Sequence, residues 1–280
     1  MVTFPENSNG RPLPLVEIQG LSVDFGPQKV LRRISFNLTQ GETLAVIGES
    51  GCGKTVLLKT VIGLLQPTRG KVRFDGNDLS ELSERELTRQ RIRFGFLFQQ
   101  AALFDSMTVA QNIAFPLKQH TSKNEEDIRE IVLARLAEVG LPQEAMRKKP
   151  AELSGGMRKR VGLARALAMD PEIILYDEPT TGLDPIMSDV INELILKTRR
   201  EHPVTAIVVT HDMRTARKTA NRIVMLYPLE RLREDEPQVL YDGVPEQIDS
   251  APDRRVSQFV NGEAGERLME MRSRNGINGS

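Results

Sequence analysis

The chain has 280 residues, 39% hydrophobic and 27% charged, enough apolar material for a packed core and too much for wholesale disorder. Lys plus Arg and Asp plus Glu both number 38, and this zero net charge argues against a general nucleic-acid binder, which carries a basic excess. The single cysteine, Cys52, excludes a disulfide framework and a cysteine-rich zinc site, and it points to the cytoplasm.

The opening stretch MVTFPENSNGRPLP has neither a basic start nor an apolar centre, so no secretory signal is expected. No apolar run approaches the ~20 residues that span a bilayer, so any membrane role is expected to run through a partner. LVEIQGLSVDF (15–25) alternates like a strand pair, and ISFNL (34–38) continues in the same style. GETLAVIG (41–48) reads as an apolar strand entering a glycine-rich turn. KTVLLKTVIGLL (54–65) reads as a helix, ended by QPTRG. KVRFDG (71–76) is a short strand and turn, 78–90 is a charged helix or loop, and RFGFLFQ (93–99) is another strand.

Beyond Gln99 the pattern turns helical. TVAQ (108–111) and SKNE (122–125) both fit a capping box. The second opens a helix with Ile128, Ile131, Val132, Leu136 and Val139 on one face, stopped by Gly140 and Pro142. The helical block runs to about Pro150. EIILYDE (172–178) and TAIVVTHD (205–212) then return as continuous apolar strands, which suit a parallel sheet buried on both faces. With helices between them, the pattern predicts an α/β sheet carrying an inserted helical subdomain. After about Gly262 the tail is expected to fray. There is no internal repeat.

GESGCGKT, Gly48 to Thr55, matches the phosphate-binding pattern G-x-x-x-x-G-K-[ST] between a strand and a helix. Its glycines let backbone N–H groups point around phosphate oxygens, and the helix dipole adds to that field. Lys54 can neutralise β/γ-phosphate charge, and the Thr55 hydroxyl can ligate Mg²⁺. Cys52, inside the loop, reads as a small filler. The alternative, a glycine-rich turn with a surface lysine, does not explain an eight-residue match set between a strand and a helix.

Two adjacent acids after an apolar strand are costly unless they emerge at its C-terminal end, where α/β sites sit. Asp177 then reads as the acid that holds Mg²⁺ through water, and Glu178 as the group that polarises an attacking water. His211 closes another buried strand, which favours a γ-phosphate contact over a structural role. His120 and His202 lie in polar contexts and receive no role. Gln99 ends a strand at the switch into the helical block, where its amide could ligate Mg²⁺ or the water; Gln100 is adjacent, so register decides. LSGGM (153–157) places two glycines and then Arg158, Lys159 and Arg160 at a helix start. That is a serine-capped surface helix or a dock for something anionic.

In this order, GESGCGKT, FQQ, LSGGM, LYDEPTTGLDP and VVTHD resemble the nucleotide-binding subunit of ABC transporters, over roughly residues 15–245. The resemblance implies a RecA-like P-loop core with a parallel sheet, an N-terminal antiparallel β-subdomain and an inserted α-helical subdomain at about 100–165. The ATPase domain would span 14–245 and a C-terminal extension 246–280. It implies ATP and Mg²⁺ as cofactors, with Gly48, Glu49, Ser50, Gly51, Cys52, Gly53, Lys54 and Thr55 around the phosphates. Phe25 of DFG matches the aromatic that stacks on adenine, Gln99 the glutamine loop, Asp184 the D-loop and His211 the switch histidine. In a head-to-tail dimer, Ser154, Gly155 and Gly156 would complete the ATP site of a second copy. The cations behind them fit an incoming anion or a solvated face. The family usually has glutamine where this chain has Met157, which removes one side-chain hydrogen bond and no backbone contact.

LFQQAALFDSMTVAQNIAFPL, LSGGMRKRVGLARALA and QFVNG look like the ATPases of MCE-type lipid transporters, the Mla group. That implies an integral membrane permease, an MCE lipid-binding protein and a peripheral place on the cytoplasmic face of the inner membrane. AALFDSM (101–107) is apolar for a loop, suiting either packing inside the helical subdomain or a groove for a permease helix. A nutrient importer would share the ATP chemistry. An ABC ATPase of DNA repair or translation fits less well without long coiled coils or a second cassette, and LSGGM argues against a P-loop kinase.

Overall fold

The computed structural model describes residues 14–202 and 204–265, so the opening stretch and most of the predicted tail lie outside it. LVEIQGLSVDF is one strand rather than a pair: β1 spans Pro14–Phe25 and pairs antiparallel with β2 (Gln28–Thr39). Register shifts flank Gly20, whose φ of 58° is left-handed, so a bulge bends the strand without ending it. β3 (Thr43–Ile47) runs into the glycine-rich loop, and α1 (Lys54–Val61) leaves it. α1 is shorter than its apolar pattern predicts, because the left-handed Gly63 stops it.

β4 (Arg69–Phe74) and β5 (Asn77–Asp78) follow. The charged stretch resolves into α2 (Glu84–Arg91), opened by a Ser83/Glu86 capping box that obeys the same rule as TVAQ. β6 (Phe94–Leu97) ends two residues before Gln99. α3 (Val109–His120) carries the expected Thr108/Gln111 box. α4 (Glu125–Glu138) does not start at Ser122. Asn124 caps it, accepting from the Glu126 and Asp127 amides at 2.9 Å, while Glu125 pairs with Lys118. An Asn beside three acids caps the first turn with no need of a reciprocal glutamate.

α5 (Gly155–Leu167), β7 (Ile173–Asp177), α6 (Pro185–Glu201), β8 (Thr205–Thr210), α7 (Met213–Thr219), β9 (Arg222–Leu226), β10 (Val239–Gly243) and α8 (Arg254–Asn261) complete the order. One sheet is antiparallel, β2-β1-β4-β5. The other runs β10-β9-β3-β8-β7-β6, parallel except where β10 joins its edge. Both faces of the parallel strands are covered. Ile173 and Leu175 of β7 pack toward the antiparallel sheet and α1, and Ile174 and Tyr176 toward the helices α3–α6. That is why β7 and β8 read as unbroken apolar runs.

Register aligns the strand ends. Ile47 pairs with Thr210, Val209 with Asp177, and Tyr176 with Leu97. The glycine loop, His211, the two acids and the chain leading to Gln99 therefore leave the same edge of the sheet. α1 differs from α2 through α8 at its start. Each of the others has a side chain accepting from its first turn, whereas α1 begins at Gly53 with no side-chain cap.

Candidate functional site

The loop between β3 and α1 can only be built with glycine at two points. A Cβ on Gly48, at φ 146°, would stand 2.2 Å from the Leu226 carbonyl oxygen. One on Gly53, at φ 98°, would stand 2.6 Å from Leu31 Cδ2. Lys54 folds back under the loop, 7% exposed, and donates to the carbonyls of Gly48 at 2.8 Å and Glu49 at 3.0 Å. Its ammonium is thus pinned at the loop's centre. Cys52 is buried among apolar neighbours, and burial pushes its thiol up, away from thiolate reactivity.

Thr55, one residue into α1, donates from Oγ1 to Asp177 Oδ1 at 3.0 Å. Burial raises the Asp177 carboxyl above its usual range, and the Thr55 hydroxyl opposes that rise. Glu178 is 8% exposed and lies at the meeting point of three elements. Its Oε2 takes His211 Nδ1 at 2.8 Å and Thr181 Oγ1 at 3.0 Å, and its Oε1 stands 3.9 Å from Lys54 Nζ. The backbone of Glu178 is left-handed at φ 49°, a conformation that costs a non-glycine residue about 1–3 kcal/mol. Its amide donates to Val209 O at 2.9 Å, and its carbonyl accepts from Lys159 Nζ at 2.9 Å and Thr181 N at 3.3 Å, which holds it there.

Lys54, Thr55, Asp177, Glu178 and His211 are therefore one connected cluster. Ser154, Gly155, Gly156 and Asp184 form a second group, at the adjoining N-terminal ends of α5 and α6. Ser154 Oγ accepts from Met157 N at 3.2 Å, and Asp184 Oδ1 accepts from Ile186 N and Met187 N at 3.0 and 2.9 Å, so both cap their own helices. A methyl group on Gly156 would displace only the flexible end of Met187, and one on Gly155 would make an ordinary contact with Leu183. Packing thus demands glycine at neither position. Phe25 stands at the β1–β2 turn, 47% exposed. Gln99 and Gln100 are exposed beyond the end of β6.

The cations after LSGGM differ in exposure: Arg158 is exposed, Arg160 half-buried and Lys159 buried. Arg158 donates to Leu153 O, Arg160 to Gly140 O, and Lys159 is buried against Glu178. Lys159 escaped sequence reasoning, although it sits at a 3–4-residue spacing with the buried Gly156, Leu163 and Ala166. A lysine in an apolar stripe is the available signal. Thr181 carried no signal at all.

Burial pulls the Lys159 ammonium down to about 8. The unfolded chain keeps its proton at higher pH, so this group's contribution to stability rises as pH climbs from about 8 toward the ordinary lysine range. Urea unfolding across that window is expected to show the rise in the parent protein and a flatter profile in Lys159→Met. Equal slopes would mean the ammonium is solvated.

Residues 31–181 match the model of the ABC transporter family. The "probable ribonucleotide transport ATP-binding protein mkl" of Mycobacterium tuberculosis is 41% identical over 257 residues, 91% of this chain and 69% of that protein. The "intermembrane phospholipid transport system ATP-binding protein MlaF" of Haemophilus influenzae is 40% identical over 250 residues, 89% of this chain and 91% of that one. Among solved structures, the dimeric post-hydrolysis state of the ATP-binding cassette MJ0796, bound to ADP and Pi, superimposes with a TM-score of 0.73 at 32% identity. It covers 82% of this chain and 98% of that one.

Proposed function

We propose, from the premise that this chain belongs to the ABC transporter family and is its ATP-hydrolysing subunit, that two copies pair head to tail to drive phospholipid transport through a permease and an MCE protein. The observation that carries the chemistry is the Glu178 carboxylate, buried, held by His211 and Thr181, and placed beside Lys54. A carboxylate so fixed can accept a proton from an attacking water. Lys54 offsets charge on the β- and γ-phosphates. His211, half-exposed with one ring nitrogen on Glu178, keeps the other for a γ-phosphate oxygen.

Mg²⁺ suits the donors present. Thr55 and Asp177 offer hard oxygens already within hydrogen-bond distance of each other, and Asp177 is buried at the end of β7. Thr55, Asp177 and Gln99 would hold the ion, which neutralises phosphate charge when bound. Exposed Phe25 offers its face to adenine, and the amides at the uncapped start of α1 face the phosphates. Ser154 with Gly155 and Gly156 would present the α5 N-terminus to the second copy's nucleotide. Glycines that packing does not require support that reading.

The permease seat is read from a groove of about 670 Å³ that Phe96, Phe98, Phe104, Phe115 and Arg165 help to line. AALFDSM divides accordingly: Ala101 is buried, while Phe104 stands in the groove. No helix of the described residues is long and apolar enough to cross a membrane, so the proposed place is peripheral, on the cytoplasmic face of the inner membrane, through that seat. Phospholipid is preferred because the phospholipid-named relative matches nearly end to end; the mycobacterial relative's name supports ribonucleotide as the second reading.

Reconstitution decides between them. The chain is expected to co-purify with a small permease and an MCE protein encoded beside it, and to move fluorescent phospholipid between vesicles only with ATP. ATP turnover stimulated by ribonucleotides, with no lipid moved, would replace the first reading by the second.

A further inference from the structure

A carboxylate is the wrong charge for a loop that holds phosphates, yet Glu49 is the second residue of GESGCGKT. Beside polyphosphate it is repulsive unless a cation answers it. The structure supplies that cation from far along the chain. Arg231 Nη1 donates to Glu49 Oε1 at 2.7 Å, with both side chains mostly buried. A pair so placed is screened less than a surface pair. Arg231 ends the short 3₁₀ turn Leu229–Arg231 that follows β9.

The guanidinium of Arg231 is itself braced. It lies 5.1 Å from the centroid of the Tyr227 ring, and Arg255 of α8 lies 5.2 Å from the same ring. Asp253 and Glu236 hold Arg255 at 2.7 and 3.0 Å. The same segment meets the loop again through buried Gln238, which donates to the Cys52 and Val30 carbonyls at 3.1 Å and accepts from Arg32 N at 2.8 Å. The segment 227–238 thus grips the loop by one charged and one neutral contact, with α8 behind it.

We infer that Arg231 is a positioning residue of the phosphate loop: it neutralises Glu49 so that the loop accepts polyphosphate, and Tyr227 and Arg255 tie that arrangement to the C-terminal helix. The inference rests on reading residues 48–55 as the phosphate loop.

The test is calorimetric titration of the full chain with MgADP. Arg231→Ala is expected to weaken binding about 5- to 10-fold, the scale of one partly screened repulsion between Glu49 and the phosphates, with the deficit shrinking at high salt. Adding Glu49→Ala to it is expected to recover most of the affinity, because the charge that Arg231 answers is gone. Arg255→Ala is expected to act in the same direction and more weakly. Arg231→Lys, which keeps the charge and gives up the flat stacking on Tyr227, should bind between the parent and Arg231→Ala, and its retained binding guards against a folding defect. Parent-like affinity in Arg231→Ala overturns the inference. So does a double variant as weak as the single one, since Arg231 would then act without Glu49. Lys54→Ala separates the two levels: if it too binds MgADP like the parent, the phosphate-loop reading falls, and this inference with it.

Discussion

Lys54→Ala is expected to lower phosphate release by the reconstituted transporter at least about 100-fold, the usual consequence of removing one fixed charge from a site where negative charge develops. Two losses combine. The ammonium that meets the phosphates is gone, and so are its bonds to the Gly48 and Glu49 carbonyls, which hold the loop closed around that charge. The 3.9 Å approach to Glu178 disappears as well, leaving that carboxylate without its nearest lysine. The fold should survive, since α1 remains anchored by Leu57, Leu58 and Val61 in the core. Turnover near the parent value in a folded variant would overturn the assignment of the loop.

Glu178→Gln is expected to leave ATP binding intact and to slow hydrolysis by about 10² to 10⁴. The amide keeps the shape of the carboxylate but cannot take a proton from water. His211 and Thr181 would still find an oxygen or nitrogen in place, so geometry is preserved while basicity is lost. With hydrolysis stopped, the ATP-bound pair should accumulate and elute as a dimer in size exclusion with ATP. A monomer in every nucleotide state, with hydrolysis retained, would remove Glu178 from its proposed role.

What the sequence made legible is local. The glycine loop, the acids at 177–178 and His211 each sit where an apolar strand meets a polar residue, and strand period with loop pattern is enough to see that. Parallel register then brings them to one edge, which follows from the α/β alternation. Distant partners were not legible. Arg231 lies 182 residues from Glu49, and Gln238 lies 186 from Cys52, so no window of sequence contains either pair. Lys159 looked like one of three surface cations because the stripe it shares with Gly156 and Leu163 turns inward only through the packing of α5 against α3 and β6. α4 starts two residues later than SKNE implies because Asn124 accepts from two first-turn amides, while Glu125, which a Ser122 box needs, pairs with Lys118.

The uncapped start of α1 has a consequence for efforts to stabilise this protein. A missing helix cap is ordinarily an easy repair, worth about 0.5–2 kcal/mol when Ser, Thr, Asp or Asn is installed. Here the repair is closed on two counts. Position 53 has φ 98°, and a Cβ there would strike Leu31. A side-chain oxygen would also compete with the phosphate for the same amides. The helix is thus fixed as the least self-sufficient of the set, and thermostabilising substitutions have to be sought elsewhere. On the proposed reading nucleotide takes the place of a cap at this helix end, so resistance to heat should rise with its occupancy.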